Sequence, residues 1–293
     1  MQGTEPAAGV LYLVGTPIGN LSDLSPRARH VLANVHVIAC EDTRRSGLLL
    51  HHLGLRGAEA APRLVSFHAH NQSRRIPELL EALHSGEAVA VISDAGLPGI
   101  RDPGEDLVAA ALEAGRTVIT IPGPCAITTA LVSSGLPCDR FCFEGFLPPK
   151  RNQRRERLQQ LAQEPRTMVF YEAPHRLLDL LEDLHALLGE RPLAVMRELT
   201  KRHEQRIGPT ISAALEHFRV TPPQGEFTLV LGGCQVRDNE SAAEPSSEEL
   251  RQALDDLVAH GFSRSDAARE LAQRTGLPRR QIYALLHQHR DVG

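Results

Sequence analysis

Short, nearly unbroken apolar runs punctuate the first half of the chain: VLYLVG (10–15), VHVIACE (35–41), RLVSFH (63–68), AVAVISD (88–94) and TVITIPG (117–123). A strand with one wet face alternates apolar and polar residues, whereas a strand covered on both faces has no need to. These runs therefore predict strands buried on both sides. The segments between them carry helical spacing. In IPELLEALHSG, for example, Leu79, Leu80 and Leu83 share a face and Gly86 stands just past the end. Alternation of the two periods predicts an α/β fold with a mainly parallel sheet. The pattern restarts after Pro124 with RFCFEGF (140–146), TMVFYEA (167–173), PLAVMREL (192–199) and EFTLVLGG (226–233), and an amphipathic helix in HRLLDLLEDLHALLG stops at Gly189. Two αβα domains are expected, 9–123 and 124–235.

The stretch VRDNESAAEPSS (236–247) has almost no apolar content and predicts a linker. Beyond it, Leu250, Leu254, Leu257 and Val258 fall at helical spacing. Ser263 then stands as an N-cap with Asp266 three residues on, and TGLP (275–278) separates that helix from another. Two helices meeting across such a turn make a helix-turn-helix-like tail over 248–293.

Composition changes this picture little. With 42% hydrophobic and 23% charged residues the chain can bury a core, and a net charge of −4 leaves nucleic-acid contact to local patches. No apolar run reaches the roughly 20 residues of a membrane span, and the first residues lack the features of a signal peptide, so a cytoplasmic protein is expected. The five cysteines, Cys40, Cys125, Cys138, Cys142 and Cys234, are odd in number and widely spread. They fit reduced, mostly buried thiols, and no second ligand pair accompanies the C-x3-C of Cys138 and Cys142, so no metal site is expected.

Three turns rich in Gly and Pro belong at carboxyl ends of strands, where open parallel sheets bind ligands: VGTPIGNL (14–21), SDAGLPGIRDPG (93–104) and PGPCAITTAL (122–131). Gly lets backbone approach a ligand, and Asp94 offers an acceptor for an ammonium or hydroxyl. The alternative is that they are merely tight connections. Neither G-x-G-x-x-G nor G-x-x-x-x-G-K-[ST] is present, which favours a nucleotide-like ligand without a pyrophosphate.

Taken together, VGTPIGNLSDLSPRA, ACEDTRRS, ISDAGLPGIRDPG, PGPCAITTALVSSGLP, FEGFLPPK, FYEAPHR and RELTKRHE resemble the bacterial ribosomal RNA small subunit methyltransferase I family, within the tetrapyrrole-methylase-like superfamily. The resemblance spans residues 9 to 235, and the helical tail is similar to that family's C-terminal domain. It implies S-adenosylmethionine bound in a cleft between two αβα domains and a homodimer. It further implies methylation of a cytidine ribose 2′-hydroxyl in the 16S rRNA decoding centre of the small ribosomal subunit. By the same resemblance, Pro17 would border the cofactor. Ile92, Ser93, Asp94 and Leu97 would wrap its methionine and ribose, Cys125 and Ala126 would give backbone contacts, and Glu172 and Leu199 would line the adenine side.

Methyl transfer from a sulfonium is an in-line displacement, and a ribose hydroxyl gains from a base. The candidates lie in CEDTRR (40–45): Glu41 or Asp42 to accept the proton, and Arg44 to hold a phosphate. The alternative for this cluster is a helix cap with a salt bridge. Glu198, Lys201, His203 and His175 are held in reserve. For RNA contact, PKRNQRRER (149–157) supplies Lys150, Arg151, Arg154, Arg155 and Arg157, and FYEAPHR supplies Arg176; the alternative is a solvated, charged helix start. Arg279 and Arg280 open the last helix of the tail, but eight acids against seven Lys or Arg over 241–293 argue against a strong DNA reader. Two competing activities remain: a tetrapyrrole C-methyltransferase on the same scaffold, and a non-enzymatic nucleic-acid-binding protein led by its helix-turn-helix.

Overall fold

A computed structural model describes residues 6–55, 61–234, 247–259 and 262–275, together with residues 277, 280 and 282. The chain divides into two compact units, Met1–Cys234 and Gln235–Gly293. The first begins with a fully parallel five-stranded sheet. Its strands are β1 (Leu11–Val14), β2 (Val37–Cys40), β3 (Arg63–Ser66), β4 (Val89–Ile92) and β5 (Val118–Ile121). They alternate with α1 (Pro26–Asn34), α2 (Thr43–His52), α3 (Gln72–His84) and α4 (Glu105–Glu113).

Successive strand residues face opposite sides, and both sides are covered. Tyr12, Val14, Ile38, Cys40, Ala90 and Ile92 pack with Ala28, Val31 and Leu32 of α1. Their neighbours Leu11, Val37, Ala39, Val89 and Val91 pack with Leu79 and Leu83 of α3 and Leu107 of α4. This double burial is why the strands are apolar throughout. The strand order β3-β2-β4-β1-β5 makes the chain leave β1 toward one edge and β4 toward the other. A switch point therefore opens between the carboxyl ends of these two neighbours.

After α5 (Ala126–Ser133) the second sheet assembles from β6 (Phe141–Phe146), β7 (Thr167–Glu172), β8 (Leu193–Arg197), β9 (Gln205–Ile207) and β10 (Phe227–Leu231), in the order β6-β7-β10-β8-β9. Here the expectation of a mainly parallel sheet needs correction. Only β6 and β7 run parallel; β7–β10, β10–β8 and β8–β9 are antiparallel. The connection between β8 and β9 is short enough to return the chain alongside itself, while α6 (Arg151–Gln160) gives the crossover between the parallel neighbours β6 and β7. Helices α7 (Pro174–Leu188) and α8 (Ile211–Val220) cover one face through Leu177, Leu180, Leu181, Leu184, Leu215 and Phe218.

In the second unit, α9 (Ser247–Ala259) and α10 (Arg264–Thr275) share a core of Leu250, Leu254, Ala267, Ala268, Leu271 and Ile282. Ser263 caps α10: its Oγ accepts from the Asp266 backbone N–H at 3.1 Å and donates to the Asp266 carboxylate at 2.6 Å. Arg280 is exposed; Arg279 and the expected linker up to residue 246 lie outside the described residues. Among the described residues no helix is long and apolar enough to cross a membrane.

Candidate active site

Three loops meet at the switch point, and glycine allows it. A Cβ on Gly15 would lie 2.7 Å from Gly123 Cα, so the turns after β1 and β5 touch backbone to backbone. Thr16 is fully buried and ties the first turn to the one after β4. Its N–H donates to Gly96 O at 2.9 Å, it accepts from Gly96 N–H at 3.2 Å, and its hydroxyl donates to Ser93 O at 3.1 Å. The β4 loop folds back on itself, with Ser93 Oγ donating to Asp102 Oδ2 at 2.6 Å.

Between these turns and the second sheet lies a cavity of about 440 Å³, within the range of small-molecule sites. One wall is Ser93–Leu97, Ile100, Arg101 and Asp102, with Ile18 and Glu41 beside it. The other is Cys125 and Ala126 at the start of α5, Phe146 on β6, Tyr171–Pro174 from the end of β7 to the start of α7, Met196 and Leu199 at the end of β8, and Gly225–Thr228 leading into β10. The lining is mostly apolar, with carboxylates set into it.

Three of them, Glu41, Asp102 and Glu172, are shifted upward. Burial raises Glu41 above the usual range, and the neighbouring charges of Asp102 and Asp94 add to it. Asp102 is raised chiefly by burial and secondarily by Asp94, against the Ser93 hydrogen bond. Burial also raises Glu172, whose Oε1 accepts from Ala173 N–H at 2.9 Å and lies 3.4 Å from Arg176 Nε. Its Oε2 is buried and finds no partner among the described residues. Asp94 is held from behind by Arg45 at 3.2 Å and receives the Asp42 N–H at 3.4 Å.

Of the residues expected here from the sequence, Glu41, Ser93, Asp94, Leu97, Cys125, Ala126, Glu172 and Leu199 line this single hollow. Pro17, Ile92, Asp42 and Arg44 do not. Ile18 takes the place beside the cavity, and the Ile92 side chain belongs to the core against α1. Asp42 is the N-cap of α2, accepting the Arg44 N–H at 2.8 Å and pairing with the Arg44 guanidinium at 3.0 Å. These bonds hold its carboxyl down to about 2. The helix-cap alternative describes Asp42 and Arg44, and Glu41 alone of the three faces the cavity.

The basic stretch divides as well. Arg154 is buried, with Nε and Nη2 donating to Asp183 Oδ2 at 2.9 and 2.7 Å, so it is a core ion pair and not an RNA contact. Arg155 donates to Asp183 Oδ1 at 2.9 Å and Arg151 lies 3.6 Å from it; both remain partly exposed. Arg157 pairs with Glu144. Lys150 is exposed with no ion pair among the described residues. Arg176 clasps the β6–α6 connection, donating to Leu147 O at 2.8 Å and Pro148 O at 3.2 Å. Its guanidinium is therefore structural. His175 and His203 are exposed and do not line the cavity, and Lys201 bridges Glu198 and Glu226 at 3.0 and 2.8 Å.

Asp102, Arg101, Phe146, Tyr171 and Met196 escaped the sequence-based assignment. Asp102 and Arg101 sit in the loop already singled out, and Phe146 in FEGF, but which side chains turn inward depends on loop folding that no local pattern encodes.

Residues 10–214 match the model of the Tetrapyrrole (Corrin/Porphyrin) Methylases, and residues 244–290 match the RsmI C-terminal HTH domain. The chain is 51% identical over 278 residues to the Ribosomal RNA small subunit methyltransferase I of Synechocystis, covering 94% of this chain and 97% of that one. It is 43% identical to the protein of the same name from Haemophilus influenzae, covering 94% and 95%. Among solved structures, uroporphyrin-III-C-methyltransferase from Thermus thermophilus superposes with a TM-score of 0.53 at 23% identity, over 76% of this chain and 94% of that one, which is a likeness of fold. With 51% identity over nearly its whole length and both matching domain models, the chain that carries this hollow belongs to the ribosomal RNA small subunit methyltransferase I family.

Proposed function

We propose that this protein transfers a methyl group from S-adenosylmethionine to the ribose 2′-hydroxyl of a cytidine in the decoding centre of 16S rRNA, acting in the cytoplasm as a homodimer on the small ribosomal subunit. The observation that carries the reading is the single cavity shared by Glu41, Ser93–Leu97 and Cys125–Ala126. Its chemistry suits the donor. Glycine turns bring bare backbone to the hollow, apolar Leu97, Ile100, Met196 and Leu199 favour the nucleoside and the methylene groups beside the sulfonium, and the orphaned Glu172 Oε2 awaits a hydrogen-bond donor. When bound, the donor supplies a methyl on a cationic sulfur.

The protein's own part is alignment and proton removal. Asp94, Asp102 and Glu41 place negative charge along one wall, which favours a cationic group there and holds it in register. Glu41 is the proton acceptor: burial beside two carboxylates makes its carboxylate more basic than an ordinary surface glutamate. Ser93 fixes the Asp102 carboxylate, and Arg45 fixes that of Asp94.

Mass spectrometry of 16S rRNA from cells lacking the protein tests this. One cytidine 2′-O-methyl group should be missing and should return on complementation with the wild type but not with Glu41→Gln. Unchanged rRNA together with an accumulating undermethylated porphyrin intermediate would instead assign the tetrapyrrole chemistry.

A further inference from the structure

The mouth of the cavity carries an aromatic surface that the fold itself does not require. Phe146 is 44% exposed, yet it lines the hollow. Its ring centroid lies 5.6 Å from that of Tyr171, which in turn stands edge-on to Phe143 at 5.0 Å. Close to half of its surface stays open at the mouth of the hollow, where a ligand can reach it.

Three local departures from regular geometry put it there. The pairing of β6 with β7 slips between Phe143 and Gly145, a bulge that re-aims the end of the strand. Gly145 adopts φ +66°, and a Cβ there would sit 3.1 Å from Arg101 Cδ and Nε. Arg101, a non-glycine residue, is itself at φ +66° and carries its guanidinium to 5.9 Å from the centre of the Phe146 ring. Left-handed backbone at a residue with a side chain is unfavourable and collects where function demands a particular aim. Glycine at 145 leaves the groove through which the Arg101 stem passes. The result is a π-face with a cation beside it, at the entrance to the hollow assigned above to the donor, with Glu41 in its lining.

Planar nucleobases lifted out of a helix are recognised by stacking on aromatic rings and guanidinium planes. Glu41 lines a concave hollow, and a nucleotide splayed from the RNA stack can carry its 2′-hydroxyl into it, leaving a freed base that needs a surface. We propose that Phe146, flanked by Arg101 and backed by Tyr171, is the stacking platform for the base of the target nucleotide. This rests on the RNA reading above. Phe146 and Arg101 are positioning residues: they hold the base, and through it the hydroxyl.

The test uses the full chain, labelled S-adenosylmethionine and small ribosomal subunits from cells lacking this protein. Phe146→Ala should lower kcat/KM for the subunit by about tenfold or more, mostly through KM. Phe146→Tyr should stay within about threefold of wild type, whereas Phe146→Leu, apolar but unable to stack, should behave like Phe146→Ala. Affinity for S-adenosylmethionine by calorimetry should be unchanged in all three. The chain has no tryptophan. Phe146→Trp should therefore keep activity and offer a fluorescence that falls when cytidine-containing oligonucleotide is added. Wild-type kinetics in Phe146→Ala, equal rescue by Leu and Tyr, or loss of cofactor affinity would each overturn the proposal; the last would give the ring to the cofactor. A wild-type enzyme that leaves such subunits unlabelled would sink the RNA reading, and this inference with it.

Discussion

Arg154 and Asp183 form an ion pair sealed inside the second half of the methylase unit, with side chains 3% and 2% exposed and two hydrogen bonds from the guanidinium to one carboxylate oxygen. Asp183 also gathers Arg155 and Arg151, so one buried acid anchors most of a stretch that looks, in one dimension, like a cationic surface. Removing one partner of such a pair strands the other in a medium that solvates it poorly. Asp183→Ala should therefore destabilise the protein by about 3–5 kcal/mol, measured by denaturant unfolding.

Lys150 should behave in the opposite way. Lys150→Ala is expected to leave stability nearly unchanged while weakening binding to the small subunit, and to reduce the slope of log affinity against log salt by about one. Titrations at several salt concentrations separate the two kinds of basic residue.

The acid limb of the pH profile is a third measurement. A carboxylate that accepts a proton works only when ionised, so activity falls as pH drops through its pKa. Burial raises that of Glu41, and Asp102 and Asp94 raise it further, so the limb should lie above the ordinary glutamate value of about 4.3. Asp102→Asn removes one neighbouring charge and should move the limb of kcat/KM toward lower pH. Glu41→Gln should lower kcat by about 10²-fold or more while weakening cofactor affinity far less, because Asp94 and Asp102 keep their charge on the same wall.

Gly15 faces Gly123 without room for a methyl group. Gly15→Ala should cost about 1–3 kcal/mol through overpacking, and it should also weaken S-adenosylmethionine binding in calorimetry because the turns after β1 and β5, which carry Ile18 and Cys125 to the hollow, are pushed apart.

How much of this was legible beforehand follows from the range of the forces involved. The first sheet was, because strands covered on both faces have to be apolar over their whole length, and β2 and β4 are buried at all four positions. The direction of the second sheet was not. Strand β10 is equally buried at all five positions, and an apolar run looks the same whichever way its neighbours point. The three-residue β9, with Gln205 and Arg206 exposed, leaves no periodic trace. Glu41 and Asp94 can be placed beside the hollow from the sequence because they follow β2 and β4 at the carboxyl edge of the first sheet. Arg154 was misplaced because the residue that neutralises it stands 29 positions away on another helix.

The opposed departures of β1 and β4 have a consequence for how such a catalyst can diversify. The gap between them is set by the order in which the chain visits its strands, so it survives wide drift in the side chains around it. The facing wall, in contrast, is made of the ends of β6, β7, β8 and β10 and the turns beside them, whose inward residues can be rewritten without disturbing that order. One half of the reaction is thereby inherited with the topology, and the other is left open to selection for a new methyl acceptor.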